Sequence, residues 1–180
     1  MKKLLMLSLI WGVVILCSCA DTLDEESKSS TVILPGLPHL EWMTENLSGF
    51  GGTEIDGRTY YTWEEAMAAA KQLGNGWRLP EPEEWEALDK LGSVWLEDGP
   101  HGLPGRLFGG GLFLEAAGIR SRHSGDLVGG VDSGHYWSSS SHSADDISAG
   151  YLGFGSGGVT PLNSTYRAHG LSVRCIRSVK

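Results

Sequence analysis

The chain has 180 residues, 41% of them hydrophobic, and a formal net charge of −8 from 14 basic and 22 acidic side chains. That balance gives no electrostatic footing for nucleic acid, whose phosphates call for a basic surface, and the length suits one domain with a real core. The three cysteines, Cys17, Cys19 and Cys175, do not make a disulfide framework or a cysteine-based metal site.

Lys2 and Lys3 precede an apolar run over residues 4–16. A positive n-region followed by an apolar stretch too short for a comfortable membrane span reads as a targeting segment. Leu16-Cys17-Ser18-Cys19 resembles a bacterial lipobox, which implies a signal peptide over residues 1–18 and lipidation at Cys19. The alternatives are an uncleaved anchor or plain secretion. Residues 20–30 are polar, acidic and poor in apolar side chains, as expected of a flexible tether. The expected organisation is therefore a lipidated tether over 19–34 and a domain over 35–180. The acidic cluster after Cys19 resembles the surface-export signal of Bacteroidetes lipoproteins, which implies an outer-membrane anchor facing the exterior. Loss of Lys2 and Lys3 with the leader takes the net charge from −8 to −10.

Two helices are predicted next. Thr62 and Glu65 have the spacing of a capping box. Ala66, Met67, Ala70 and Leu73 then follow at helical spacing, and Gly74 supplies the stop. The second helix has Pro82 in its first turn, with Glu83 and Glu84 near the positive end of the dipole. Trp85, Leu88 and Leu91 form its buried stripe, and Gly92 ends it. The remainder is glycine-rich with short apolar alternations around Leu103, Leu107, Phe113, Leu114, Tyr136 and Trp137. Helices followed by many short strands predict an α+β fold rather than a parallel α/β sheet.

Residues 138–169 contain no Lys, Glu, Gln, Met or Trp, although all five types occur between residues 20 and 137. A Gly/Ser-rich run reads first as linker. Against that, Tyr151-Leu152-Gly153-Phe154-Gly155 alternates like a half-buried strand, with Leu152 and Phe154 inward and Gly153 and Gly155 outward. Ser172-Val173-Arg174-Cys175-Ile176 alternates too, with Val173 and Cys175 on one face. The expectation is ordered short strands joined by irregular loops. Leu152, Phe154 and Val159 keep an apolar frame, while the positions between them follow no chemical order. A catalytic site concentrates chosen groups, so this pattern reads as a display surface.

Five blocks occur in order: Glu41-Trp42-Met43-Thr44-Glu45-Asn46-Leu47, Tyr61-Thr62-Trp63-Glu64-Glu65-Ala66, Gly76-Trp77-Arg78-Leu79-Pro80 leading to Glu84-Trp85, Tyr136-Trp137-Ser138-Ser139, and Ser172-Val173-Arg174-Cys175. Together they resemble the Fibrobacter succinogenes major paralogous domain, over nearly the whole domain. The resemblance implies a C-type-lectin-like fold, with two helices on a small twisted antiparallel sheet, chain ends close together and long irregular loops on one side. It also implies that Arg78 bonds loop carbonyls. Relatives often carry a Cys before the Gly-Trp-Arg block that pairs with the later Cys. Leu73-Gly74-Asn75 stand there in this chain, so Cys175 is expected to be a buried free thiol. Glu81 replaces the Thr frequent in relatives as helix cap, which predicts a looser start to the second helix.

The C-terminal segment resembles the variable proteins of diversity-generating retroelements, which use this fold. There, mutated template adenines in Asn codons yield most residue types but never Lys, Glu, Gln, Met or Trp. The retained frame would be Leu152, Phe154, Val159, Pro161, Arg167 and Gly170.

Other chemistry is declined. His135, His142, His169, Asp145 and Asp146 show no metal-ligand spacing, no Ser sits in a nucleophile motif, and Gly109-Gly110-Gly111 lacks the Lys-Ser/Thr of a phosphate loop. The formylglycine-generating enzymes, which share the implied fold, need reactive cysteines, and Cys175 sits in a core-like segment. No catalytic residue, cofactor or metal is expected.

The expected function is a surface-displayed lipoprotein that binds a protein or glycan ligand. Its contact residues would be Asp145, Asp146, Ile147, Ser148, Gly150, Gly153, Gly155, Ser156, Gly157, Thr160, Leu162, Ser164, Thr165, Tyr166 and His169, with Tyr166 as the anchor. The alternatives are a structural or adhesion-associated envelope lipoprotein without programmed variation, and a carbohydrate-binding module using exposed tryptophans such as Trp42 or Trp95.

Overall fold

The computed structural model describes residues 30–141 and 146–179. In chain order they form β1 (Thr31–Ile33), β2 (Leu40–Met43), β3 (Thr53–Ile55), β4 (Arg58–Tyr60), α1 (Trp63–Gln72), α2 (Pro82–Lys90), β5 (Ser93–Leu96), β6 (Gly105–Phe108), β7 (Leu112–Glu115), β8 (Ile119–Arg120), β9 (Leu127–Val128), β10 (Ser133–Ser141), β11 (Ser148–Gly155), β12 (Gly158–Tyr166) and β13 (Ile176–Ser178). The strands make five small antiparallel sheets, ordered β1-β2-β13, β3-β4, β5-β6-β7, β8-β9 and β10-β11-β12. The fold is α+β. Both β1 and β13 pair with β2, so the two ends of the described chain share one sheet. Ordered pairing therefore begins at Thr31, earlier than the expected domain start at residue 35. The leader and Cys19 lie outside the described residues.

Helix α1 starts with the expected capping box: Thr62 Oγ1 accepts from the Glu65 N–H at 3.3 Å, and Glu65 Oε2 accepts from the Thr62 N–H at 2.9 Å. Its buried residues are Ala66, Ala69 and Ala70, whereas Met67 is 37% exposed. Met67 was expected on the buried face. The stripe instead runs i, i+3, i+4 through alanines, which bring the helix close to its neighbours. Gly74 then takes a left-handed φ of 65°, as the helix stop requires.

Helix α2 does not start loosely. The Glu84 carboxylate accepts the Glu81 N–H at 2.7 Å and both terminal nitrogens of Arg78 at 2.7 Å each. Arg78 also donates to Leu79 O at 3.1 Å. The expectation that Arg78 serves loop carbonyls is thus met in one bond, and its fork chiefly clamps Glu84. Trp85 and Leu88 are fully buried.

The core has two lobes. Trp42, Trp85, Phe108, Tyr136, Leu152 and Phe154 belong to one. Met43, Tyr61, Ala66, Trp137, Val173 and Cys175 belong to the other. Consecutive Tyr136 and Trp137 serve different lobes, so the middle of β10 is covered on both faces and shows no clean alternation.

Residues 172–175 are not a regular strand, contrary to the alternation read there: β13 begins only at Ile176. Every residue from 171 to 176 is buried, Arg174 included. The Arg174 guanidinium donates to Met43 O at 3.0 Å, to Thr44 O, and to Asn46 Oδ1 at 2.6 Å. Those bonds hold the segment in an irregular path. Cys175 is a buried free thiol, pushed up to about 12 by burial.

Candidate binding surface

Long strands, rather than irregular loops, carry residues 148–166. β11 and β12 form a hairpin of 8 and 9 residues closed at Ser156-Gly157, and β12 is the edge strand of its sheet. The register slips between Tyr151 and Gly153 because β12 carries an extra residue around Pro161 and Leu162. Proline lacks the N–H a ladder needs, and a bulge in an edge strand is where it fits.

The bulge decides which side chains share a face. Thr160 lies opposite Gly153 and Asn163 opposite Tyr151. Beyond the bulge, Leu162, Ser164 and Tyr166 alternate onto the side opposite Asn163 and Thr165. The expected contact residues therefore divide between the two faces of one ribbon. Asp146, Ile147, Ser156, Gly157, Thr160, Leu162, Ser164 and Tyr166 are exposed; Ser148, Gly150, Gly155, Thr165 and His169 are half-buried. Asp145 and His142 lie outside the described residues.

Gly153 does not face out into solvent as expected. It is buried, since the rings of His135 and Tyr151 meet over this part of the sheet at 5.4 Å between centroids. A Cβ on Gly153 would stand 3.1 Å from Tyr151 Cε2. Burial also pulls His135 down to about 4, well below an ordinary imidazole. The hairpin tip is gripped as well. Buried Arg106 donates from Nε to Gly155 O at 2.9 Å and from Nη2 to Ser156 O at 3.1 Å.

The serine run splits in the same way. Ser138 is buried and donates to Pro80 O at 3.1 Å, while the Ser139 N–H reaches the same carbonyl at 2.8 Å. Ser140 and Ser141 line a cleft of about 390 Å³, together with Pro82, Gly150, Leu162 and Ser164. Among the described residues no charged side chain lines this cleft. A larger cavity of about 640 Å³ lies elsewhere, bordered by Asn46, Arg58, His101, Phe113, Glu115 and Arg174.

Tyr166 is 40% exposed and is covered on one ring face by Arg122, whose Cζ sits 3.8 Å from the ring centroid. His169 lies 6.1 Å from that ring and accepts the Arg122 N–H on Nδ1 at 3.3 Å. Arg122 was missed at the level of sequence. The available signal was the cationic run Arg120-Ser121-Arg122-His123 in an acidic chain.

Among the described residues no cluster of three His, Cys, Asp or Glu is placed to hold a metal ion, and every Trp is buried or half-buried. Trp42 is fully buried in the core, and Trp63 and Trp77 lie under Arg167 and Arg177 at 4.5 and 4.6 Å. The chain matches no protein-family model, no curated protein and no solved structure.

Proposed function

We propose that this chain is a lipid-anchored protein of the outer membrane, displayed to the exterior, that binds a protein or glycan ligand on the β11–β12 ribbon and its flanks. In this reading the fold is C-type-lectin-like, the ribbon residues are diversified by a retroelement, and the protein carries no catalytic activity. One observation carries it. Each position of the frame has a packing duty: Leu152 and Phe154 are in the core, Val159 packs against it, and Pro161 occupies the bulge. Arg167 stacks on Trp63 and donates to Ser148 O at 3.2 Å, and Gly170 is buried where a Cβ would come within 2.8 Å of Arg120 Nε. Between them, Thr160, Leu162, Ser164 and Tyr166 are exposed. Such a division lets exposed residues vary while the backbone stays fixed, because surface substitutions cost little stability and a preorganised surface loses little entropy on binding.

The test is the DNA immediately downstream of the gene. The expected finding is a near-repeat of the codons for residues 138–175, with adenines where the two copies differ, beside a reverse-transcriptase gene. Its absence overturns diversification and leaves a fixed envelope lipoprotein. A carbohydrate module built on exposed tryptophans draws no support, since Trp42 is enclosed and Trp95 is half-buried against the core.

A further inference from the structure

Among the described residues, the charged side chains set against Tyr166 and His169 are cations without a carboxylate. The Arg122 Cζ sits 3.8 Å from the Tyr166 ring centroid, and among the described residues neither Arg122 nor Arg120 has an Asp or Glu within ion-pair distance. Other arginines of the fold are spoken for: Arg58 meets Glu115, Arg78 meets Glu84, Arg167 meets Glu64 and Arg177 meets Glu41. Arg120 lies across Gly170, and the β8 backbone exchanges hydrogen bonds with Gly170 at 2.8 and 2.9 Å. That pairing fixes Arg120 and Arg122 beside His169.

We propose that Arg122, Arg120, His169 and Tyr166 form an oxyanion-binding corner at the end of β12, which takes a carboxylate, sulfate or phosphate group carried by the ligand. This deepens the display reading and rests on it, because Tyr166 and His169 belong to its contact set. The chemistry is direct. A guanidinium stacked on an aromatic ring keeps its in-plane N–H donors free for a planar or tetrahedral oxyanion. The ring holds the fork in place, so less conformational freedom is lost on binding. In a chain of net charge −8, a corner of cations with no carboxylate partner among the described residues is a place where an anion gains rather than loses by approaching.

His169 provides the reporter. Burial comes first in holding its pKa below the usual imidazole value, and the neighbouring Arg122, His123 and Arg120 add to it. The fold already supplies an acceptor for the charged form, since His169 Nδ1 stands 3.4 Å from Arg120 O. An oxyanion in the corner offsets those cations and raises the His169 pKa.

The experiment is an NMR titration of the histidine and tyrosine rings of the protein with sodium acetate, sulfate and phosphate in separate arms. Ionic strength is held constant with sodium chloride. The expected result is saturating shifts at His169 and Tyr166 and a raised His169 pKa, with the tightest arm identifying the oxyanion. Arg122→Gln should weaken that binding about tenfold, the scale of a lost charge-assisted hydrogen bond, and Val94→Ser, at an exposed position on β5 outside the contact set, should leave it unchanged. Shifts that stay linear and match chloride overturn the inference, as does an Arg122→Gln protein that saturates like the parent. The readout needs no macromolecular ligand and no neighbouring gene. A missing template repeat therefore sinks diversification alone, and a failed titration sinks the corner alone.

Discussion

Arg174 and Asn46 meet at 2.6 Å, guanidinium to side-chain amide oxygen. The contact joins the last of the five sequence blocks to the first, and two carbonyls of the first block, Met43 O and Thr44 O, take donors from the same guanidinium. Arg174 is only 2% exposed and Met43 is buried, so loss of the guanidinium strands the Met43 carbonyl in the interior and leaves the half-buried Thr44 and Asn46 oxygens without their donor. Arg174→Met is expected to cost about 2–3 kcal/mol, since a buried polar group left without a partner is dearer than the bond it made. Urea unfolding checks it. Asn46→Ala should then cost less in the Arg174→Met background than in the parent, and equal costs in both would show that the two residues are not coupled.

Gly134 and Phe154 stand opposite each other in the β10–β11 ladder. The Phe154 ring lies over Gly134, where a Cβ would fall 2.1 Å from Cζ, and it is wedged between Phe108 and Tyr136 at 5.9 Å each. Gly134→Ala is expected to destabilise by about 2–3 kcal/mol through overpacking. A smaller ring-free neighbour should relieve it, so the same substitution in a Phe154→Leu background should cost measurably less. A Tm for Gly134→Ala within a degree of the parent would mean that the core repacks without strain.

Some of this was legible in the sequence and some was not, for identifiable reasons. The capping box of Thr62 and Glu65, the glycine stop at Gly74 and the inward Leu152 and Phe154 depend on spacing within a few residues, which a sequence displays. Arg106 and Arg174 were not legible as buried side chains, because arginine is ordinarily exposed and their acceptors are distant carbonyls. The long strands β10 and β12 escaped notice because neither alternates without a break: β10 is enclosed on both faces, and the alternation of edge strand β12 is interrupted by its bulge. Gly153 looked open because its cover, His135 and Tyr151, depends on strand register. Arg122 reaches Tyr166 from a different hairpin.

Tyr166→Ala combined with His169→Ala is expected to leave the Tm nearly unchanged while abolishing capture of any ligand held by the ribbon. Tyr166 is 40% exposed, and its stack with Arg122 is a surface contact worth on the order of 0.5–1 kcal/mol. Differential scanning calorimetry of the parent and the double variant decides it. A fall in Tm of many degrees would make these residues part of the scaffold.

His135 sets a pH dependence whose sign is fixed by its burial. Its pKa lies at about 4 in the folded chain and near 6.5 when unfolded, so the unfolded state binds the proton first as pH falls. Its stabilising share is fully present above pH ~6.5 and is lost progressively down to about 4, amounting to about 3 kcal/mol at most. Urea midpoints measured from pH 7 to pH 4.5 should fall, and His135→Asn should flatten the slope. The lower limit keeps the titration of Glu41, held below the usual carboxylate range by Arg177 and Thr31, largely out of the window. His169→Asn serves as the comparison, because that imidazole is also lowered. A slope unchanged by His135→Asn would assign the effect elsewhere.

Cys175 offers a probe of the core that needs no label. Its thiol is fully buried and pushed up to about 12 by desolvation, with Arg174 opposing only in part. The thiolate is the reactive form, so both exposure and ionisation must wait for the chain to open. In a form of the protein starting after Cys19, an aromatic disulfide reagent is expected to leave the native thiol unmodified over hours and to react at once in concentrated guanidinium. At intermediate denaturant the modification should follow the global unfolding transition seen by tryptophan fluorescence, since Cys175 shares its lobe of the core with Trp137. Reaction well ahead of that transition would show that the segment around Arg174 and Cys175 opens on its own. The Arg174→Met variant separates the two cases, because a local opening gated by that guanidinium should then accelerate at unchanged fluorescence.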